Sequence, residues 1–160
     1  MSSLMKAVKA NDHALVQRLI SEGVSVDAAD ASGDRPVIMA AYLGHTEVLE
    51  LLVAAGADLT VVDPGMRATA LHAAAYAGRT EAAGVLIDGG IAINQQGPVN
   101  GYTALHDAVW QNHGATVRVL LAGGADLTIR SKDGQTPLDL ARSLHHKELV
   151  AFFESIPQPM

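Results

Sequence analysis

The chain has 160 residues, 49% of them apolar and 18% charged, with a formal net charge of −6 and no cysteine. That is long enough for one domain with a sizeable core, and with one Trp, three Tyr and two Phe the core must be built largely from Ala, Val, Leu and Ile. Disulfides and thiolate metal sites are excluded, and 11 scattered Lys and Arg against 17 Asp and Glu argue against the clustered basic surface that nucleic-acid binding requires. In the N-terminal stretch MSSLMKAVKANDHALVQRLI, Lys6, Lys9 and Asp12 break any apolar run, so it does not read as a signal peptide. No run approaches the roughly 18 apolar residues of a membrane span. The expectation is a cytoplasmic protein with no nucleic-acid or membrane partner.

From Gly33 onward, four segments align with one another. GDRPVIMAAYLGHTEVLELLVAAGAD begins at Gly33, RATALHAAAYAGRTEAAGVLIDGG at Arg67, GYTALHDAVWQNHGATVRVLLAGGAD at Gly101 and GQTPLDLARSLHHKELVAFFES at Gly134. The periods are 34, 34 and 33 residues, and a fixed period of this size marks a repeat architecture. Each segment reads as two short helices. In the first, Pro36 stands at the opening helical position, where its missing N–H is harmless. Gly44 supplies the left-handed residue that ends the helix, and Leu51 and Leu52 form an apolar pair on the next. The second segment has Thr69 as N-cap, Gly78 as terminator and the pair Val85 and Leu86. Arg67 stands there where the other copies have glycine, and Pro64-Gly65 are expected to redirect the preceding tip. Its second helix holds Ala82, Ala83 and Gly84; a mid-helix glycine costs about 1 kcal/mol relative to alanine, so this unit is predicted to be the softest. The third segment follows the turn dipeptide Asn100-Gly101, is capped by Thr103, uses Asn112 as its left-handed residue and carries Val119 and Leu120. The fourth follows Asp133-Gly134 and contains Thr136, Pro137 and the pair Phe152 and Phe153.

This period, together with TALH, TPLD and GHTEVLELLVAAGAD, resembles the ankyrin repeat over essentially all of Gly33 to about Phe153. An N-terminal half-unit fits as well, with Leu4, Ala7, Leu19, Ile20 and Gly23 at equivalent positions. The resemblance implies an all-α solenoid of helix-turn-helix units joined by β-hairpin-like loops, with capping units at both ends. Divided this way, residues 1–32 form an N-terminal capping half-unit, 33–66, 67–100 and 101–133 three repeats, 134–156 a C-terminal capping repeat and 157–160 a tail. Single units cannot bury their own apolar faces, so neighbours stack and the end units need a modified outer face. Arg18 stands where inner copies have Leu51, Val85 and Val119, and Glu154 where they have Val53, Ile87 and Leu121. The chain therefore reads as a complete capped stack.

Seven histidines could suggest a metal or catalytic site. His72 and His106 occupy the fourth position of the Thr-x-Leu-His signature, whose implied role is to tie neighbouring turns by hydrogen bonds. Equivalent positions on stacked helices lie about 8–10 Å apart, whereas zinc needs nitrogens at about 2.0–2.1 Å, so the pair is not placed to share a metal. His45, His113 and His146 read as inter-helix turn residues, with His145 beside the last. No His-Glu-x-x-His, P-loop or dinucleotide-binding glycine pattern occurs, and no residue has two independent reasons to be catalytic. No enzyme activity, metal or cofactor is expected.

Residues that break the scaffold pattern point to binding. Seven positions after the signature threonine position, which is Arg35 in the first copy, the inner copies carry Tyr42, Tyr76 and Trp110, which the resemblance places near the end of the first helix and facing the concave groove. Tyr102, next to Gly101, is a fourth ring. Two readings stand: the rings pack sideways over Ala-rich helices, or they form a recognition patch of the kind exposed apolar clusters mark, built from residue types enriched at binding hot spots. Asp34, Met66 and Arg67 at the hairpin tips and Gln111 in the groove are polar and apolar neighbours of the ladder. Asp107 is either a further contact or a group that caps or bridges to the next unit. The resulting expectation is a protein-binding module that uses its concave groove and hairpin tips, as an inhibitor, antitoxin-like or adaptor protein, on a partner with an apolar core contact and some basic rim. A monomer is expected; the alternative is a self-associating scaffold whose homodimer interface is the same groove.

Overall fold

The computed structural model describes residues 3–157, so the last three residues of the proposed tail lie outside the described part. Among the described residues ten short helices follow one another: α1 Ser3–Lys9, α2 His13–Ser21, α3 Pro36–Leu43, α4 Thr46–Ala54, α5 Ala70–Ala77, α6 Thr80–Asp88, α7 Ala104–Trp110, α8 Gly114–Ala122, α9 Pro137–Ser143 and α10 Lys147–Ser155. Each has seven to nine residues, shorter than an isolated helix needs to persist in water. Packing must therefore hold them. Successive helices pair as antiparallel hairpins, and the pairs stack so that α1, α3, α5, α7 and α9 form one row while α2, α4, α6 and α8 form another, with α10 packed on α9.

The inner row is built around small side chains. Ala7, Ala40, Ala41, Ala74, Ala75, Ala108 and Ala141 are all buried at successive repeat positions, which lets the helix backbones approach closely. Larger apolar groups from both rows seal the core: Leu4, Leu71, Leu105 and Leu140 on α1, α5, α7 and α9, and Val48, Leu49 and Leu52 on α4, Leu86 on α6, Val117 and Leu120 on α8, and Leu149 and Phe153 on α10. In each apolar pair named from the sequence, the second residue is fully buried and the first only partly. Arg18 and Glu154 are exposed, Arg18 beside Glu22 and Glu154 in an ion pair with Arg142 at 3.0 Å.

Helix ends are fixed as the residue types require. Thr69, Thr103 and Thr136 cap α5, α7 and α9, and in each case the third helical residue, His72, His106 or Asp139, bonds back to the threonine N–H. This is a capping box, which satisfies two orphan donors at once. Pro36 and Pro137 take the first turns of α3 and α9. Gly44, Gly78 and Asn112 sit in the left-handed region at φ 72°, 71° and 60°. Asn11 and His145 take the same conformation at the matching places of the two end units, so His145 is a helix terminator, a role not assigned to it from the sequence.

The units are joined by tight loops, and none of the described residues forms an extended ladder. The loops close by backbone bonds from Asp30 to Asp34, Asp63 to Ala68, Gly97 to Tyr102 and Ser131 to Gln135. The middle two thus hold one residue more than the outer two. Arg67 adopts φ 54° where Gly33, Gly101 and Gly134 are left-handed, so the chain keeps the turn despite the Cβ. Neighbouring loops are linked as well: the Asp58 N–H donates to the Asp27 carboxylate, the Asp126 N–H to the Asn94 side chain, and the Gln96 amide spans the Gly101 and Arg130 carbonyls. No described helix is long and apolar enough to cross a membrane.

Candidate protein-binding groove

The inner helices and the loops enclose a groove of about 630 Å³ that runs across three units. Its walls repeat with the fold. Tyr42, Tyr76 and Trp110 line it from the ends of α3, α5 and α7, and Met39, Ala73 and Asp107 line it one turn earlier on the same helices. This is the spacing of three that places two side chains on one helix face. Asp34, Ala68 and Tyr102 contribute from the loop exits, and Asp63 and Met66 from the second tip.

The three ladder rings are 47%, 47% and 46% exposed, so they are not folded under the hairpins. Neither Tyr42 nor Tyr76 stacks on another described ring. Trp110 leans on Tyr102, with centroids 6.1 Å apart and planes at 56°, and Tyr102 in turn lies flat on His106 at 5.1 Å. Of the seven large apolar side chains exposed among the described residues, four line this groove: Tyr42, Met66, Tyr76 and Trp110. Gathering on one concavity is what distinguishes a docking surface from the scattered apolar residues any surface carries.

The turn side chains hold the ladder in place. Arg79 Nε donates to the Tyr42 carbonyl at 3.0 Å, and the His113 and His146 rings bond the carbonyls of Tyr76 and Trp110 at 3.1 and 3.4 Å. Each rung's backbone is thus tied to the following unit. Glycine is needed where this tie passes: a Cβ on Gly44 would lie 2.7 Å from Arg79 Cδ, and one on Gly78 2.7 Å from His113 Nδ1. The longest of the three bonds occurs where Asn112 replaces glycine. Sequence reasoning placed His113 and His146 in turns but did not reach these contacts; the signal was that Arg79, His113 and His146 share one repeat position.

Among the described residues, no three His, Asp or Glu side chains converge as a metal site. The signature histidines are occupied otherwise. Thr69 N–H donates to His72 Nδ1 at 3.3 Å, and His72 Nε2 lies 2.9 Å from the Tyr102 carbonyl. Thr103 N–H donates to His106 Nδ1 at 3.2 Å, and His106 Nε2 lies 2.9 Å from the Gln135 carbonyl. A backbone donor at Nδ1 and a carbonyl at Nε2 assign the neutral tautomer protonated on Nε2. Burial lowers both imidazoles below their usual value, although the carbonyls at Nε2 oppose the shift.

A family model described as ankyrin repeats, in three copies, matches residues 1–63 and 56–131. The chain belongs to the ankyrin repeat family. Ankyrin repeats are protein-binding modules and are generally not catalytic, which places the chemistry of interest in surface complementarity. In this ankyrin domain His72, His106, His113 and His146 are ties between stacked units, and the groove gathers the exposed rings.

Seven of the residues singled out from the sequence come together in the ankyrin groove: Tyr42, Tyr76, Trp110, Tyr102, Asp34, Met66 and Asp107. Arg67 and Gln111 are not in its lining. Arg67 is exposed at the second tip, and Gln111 ends α7, where its N–H bonds the Asp107 carbonyl. Met39, Ile38 and Asp63 line the groove without having been singled out. Asp63 is saturated locally: its carboxylate accepts from the N–H groups of Gly65, Met66 and Ala68 at 2.7–2.9 Å. Asp107 is the opposite case. It is partly buried, its carboxylate accepts no hydrogen bond and forms no ion pair with the described residues, and burial pushes that carboxyl up to about 7.

Proposed function

We propose that this ankyrin domain binds a protein partner in the concave groove, with Tyr42, Tyr76 and Trp110 as the apolar anchors and Tyr102, Asp34, Met66 and Asp107 completing the surface. Arg67 and Gln111 flank it and contribute at the rim. The observation that carries this reading is the concentration of exposed apolar side chains along one concavity. The ties hold the rung backbones in register across units, so the surface that presents the rings is preformed, and such preorganisation favours affinity. The mechanism is steric: occupation of a partner surface by a preformed one, as an inhibitor or adaptor acts, with no bond made or broken.

The test is a comparison of wild type with a Tyr42/Tyr76/Trp110→Ala variant, both checked for helical content. Proteins that co-purify from native lysate with wild type are expected to be lost from the folded variant, since truncating an anchor ring typically costs about 2 kcal/mol or more. Retention of every captured protein by the folded variant sinks the proposal. Sedimentation of the wild type at micromolar concentration is expected to show a monomer, and a dimer abolished by the same three substitutions would assign the groove to self-association.

A further inference from the structure

We propose that the end of the groove around Asp107 receives a lysine or arginine side chain of the partner protein, its alkyl stem lying against Tyr76, Tyr102 and Trp110 and its charged head meeting the Asp107 carboxylate. The inference rests on the groove being the partner-binding face.

Three other units carry apolar residues at this position, Met39, Ala73 and Leu140, and the N-terminal half-unit carries the exposed Lys6. Asp107 alone places a carboxylate there, in a partly buried setting where that carboxylate has no hydrogen bond or ion pair with the described residues. A carboxylate withdrawn from water without a counter-charge weakens the fold, so the scaffold does not explain this residue. A partner's cation would neutralise it. Among the described residues no lysine or arginine lines the groove; its remaining carboxylates are Asp63, already saturated by backbone donors, and Asp34. The surface is complementary to positive charge and opposed to negative charge.

The surrounding shape favours a cation on an apolar stem. Asp107 and Trp110 project from one face of α7, three residues apart, and Trp110 and Tyr102 form a corner with planes at 56°. Aromatic faces attract cations, and the stems of Lys and Arg pack along apolar surface while the head reaches a charge. An apolar or acidic side chain in the same place would leave Asp107 unpaired, which supplies discrimination.

Trp110 is the only tryptophan, so its indole N–H signal reports on this corner alone. The full chain is titrated with n-butylammonium and n-butylguanidinium, and with 1-butanol and butyrate as neutral and anionic controls. Both cations are expected to shift the indole signal saturably and to bind about fivefold or more tighter than butanol, in the range of cation–aromatic attraction. Asp107→Ala, which installs the residue α5 already carries at this position and is checked by circular dichroism, is expected to remove that advantage and leave butanol binding unchanged. Equal binding of cations and butanol, or undiminished cation binding by Asp107→Ala, overturns the proposal. So does a probe-free indole shift that grows with protein concentration alongside a dimer in sedimentation, which would make a second copy the occupant. If the cation pocket fails while the triple-ring variant still loses the captured proteins, the protein-binding reading stands alone.

Discussion

The N-terminal turns of α5 and α7 and the groove faces of the same two helices carry polar side chains in opposite states. In the turns, His72 and His106 use both ring nitrogens within the chain, and no fully buried side-chain polar atom among the described residues lacks a partner. One residue further along α7, the Asp107 carboxylate accepts no hydrogen bond from the described residues, with the exposed ring of Trp110 beside it. Repeat positions whose polar groups are consumed internally hold the stack together. Positions whose groups are left over are available to another molecule.

The sharpest way to break this contrast is to delete a tie. His106→Ala removes the acceptor of the Thr103 N–H and the donor to the Gln135 carbonyl at a site with no exposure. Losing two buried bonds and opening a cavity is expected to destabilise the fold by about 3 kcal/mol, read as a lower urea midpoint. A loss under about 1 kcal/mol would mean the tie is not structural.

The groove should respond in the opposite direction. The folded-state carboxyl of Asp107 titrates near 7, above the ordinary aspartate value of 3.8. Between those values the folded chain binds a proton that the unfolded chain has released, so this residue's contribution falls as pH rises through the window and stays low above it. Asp107→Ala is therefore expected to stabilise the free protein by on the order of 2 kcal/mol at pH 8, with the gain shrinking towards pH 5. His72 and His106 have the opposite sign, because desolvation lowers their values: their contribution is full above about 6.5 and is lost as pH falls. Tyr102, beside Asp107 and raised by burial, titrates far above this range. Taking the difference between variant and wild type at each pH cancels the histidines. A pH-independent difference would show that Asp107 is not desolvated.

Much of this was legible in the sequence because it is local. A threonine before a helical run, a proline in the first turn and a glycine at the end each act through a few bonds of their own backbone, and the period carries those solutions from unit to unit. The ladder was legible for the same reason, since Tyr42, Tyr76 and Trp110 share one position. What the sequence hid depends on neighbours. The reach of Arg79, His113 and His146 to the rung carbonyls crosses between units, over 36 or 37 residues. Gln111 and Arg67 miss the groove because a helix turns each successive side chain by about 100°, and a left-handed turn redirects another, so nearness in sequence to Trp110 or Met66 does not give a shared face. Aligning Asp107 with Met39 and Ala73 would have exposed it as the exception.

The rung clamps offer a smaller effect. Gly78 is left-handed and its Cβ site lies 2.7 Å from the His113 ring. Gly78→Ala is expected to cost about 1–2 kcal/mol from the backbone conformation and also to displace His113 from the Tyr76 carbonyl. The displacement is separable from the backbone effect, because Gly23 is equally left-handed but has nothing near its Cβ site. A Gly23→Ala variant should therefore cost less, and equal urea midpoints for the two would remove the clamp from the argument.

The smallest effect probes the outer row, where α6 contrasts with α4. Both helices have nine residues, but α4 buries Val48, Leu49 and Leu52 whereas α6 buries Ala82, Ala83 and Leu86 around an interior glycine. Less apolar area per turn and a flexible backbone both predict faster local opening in α6. Nothing lies within 4 Å of the Cβ site on Gly84, so alanine adds no clash there and restricts the unfolded chain. Gly84→Ala is expected to stabilise the domain by about 1 kcal/mol and to slow amide exchange in α6 more than in α4 or α8. If α6 already exchanges as slowly as its neighbours in wild type, the small side chains of this unit are packed well enough to compensate, and the softness belongs elsewhere.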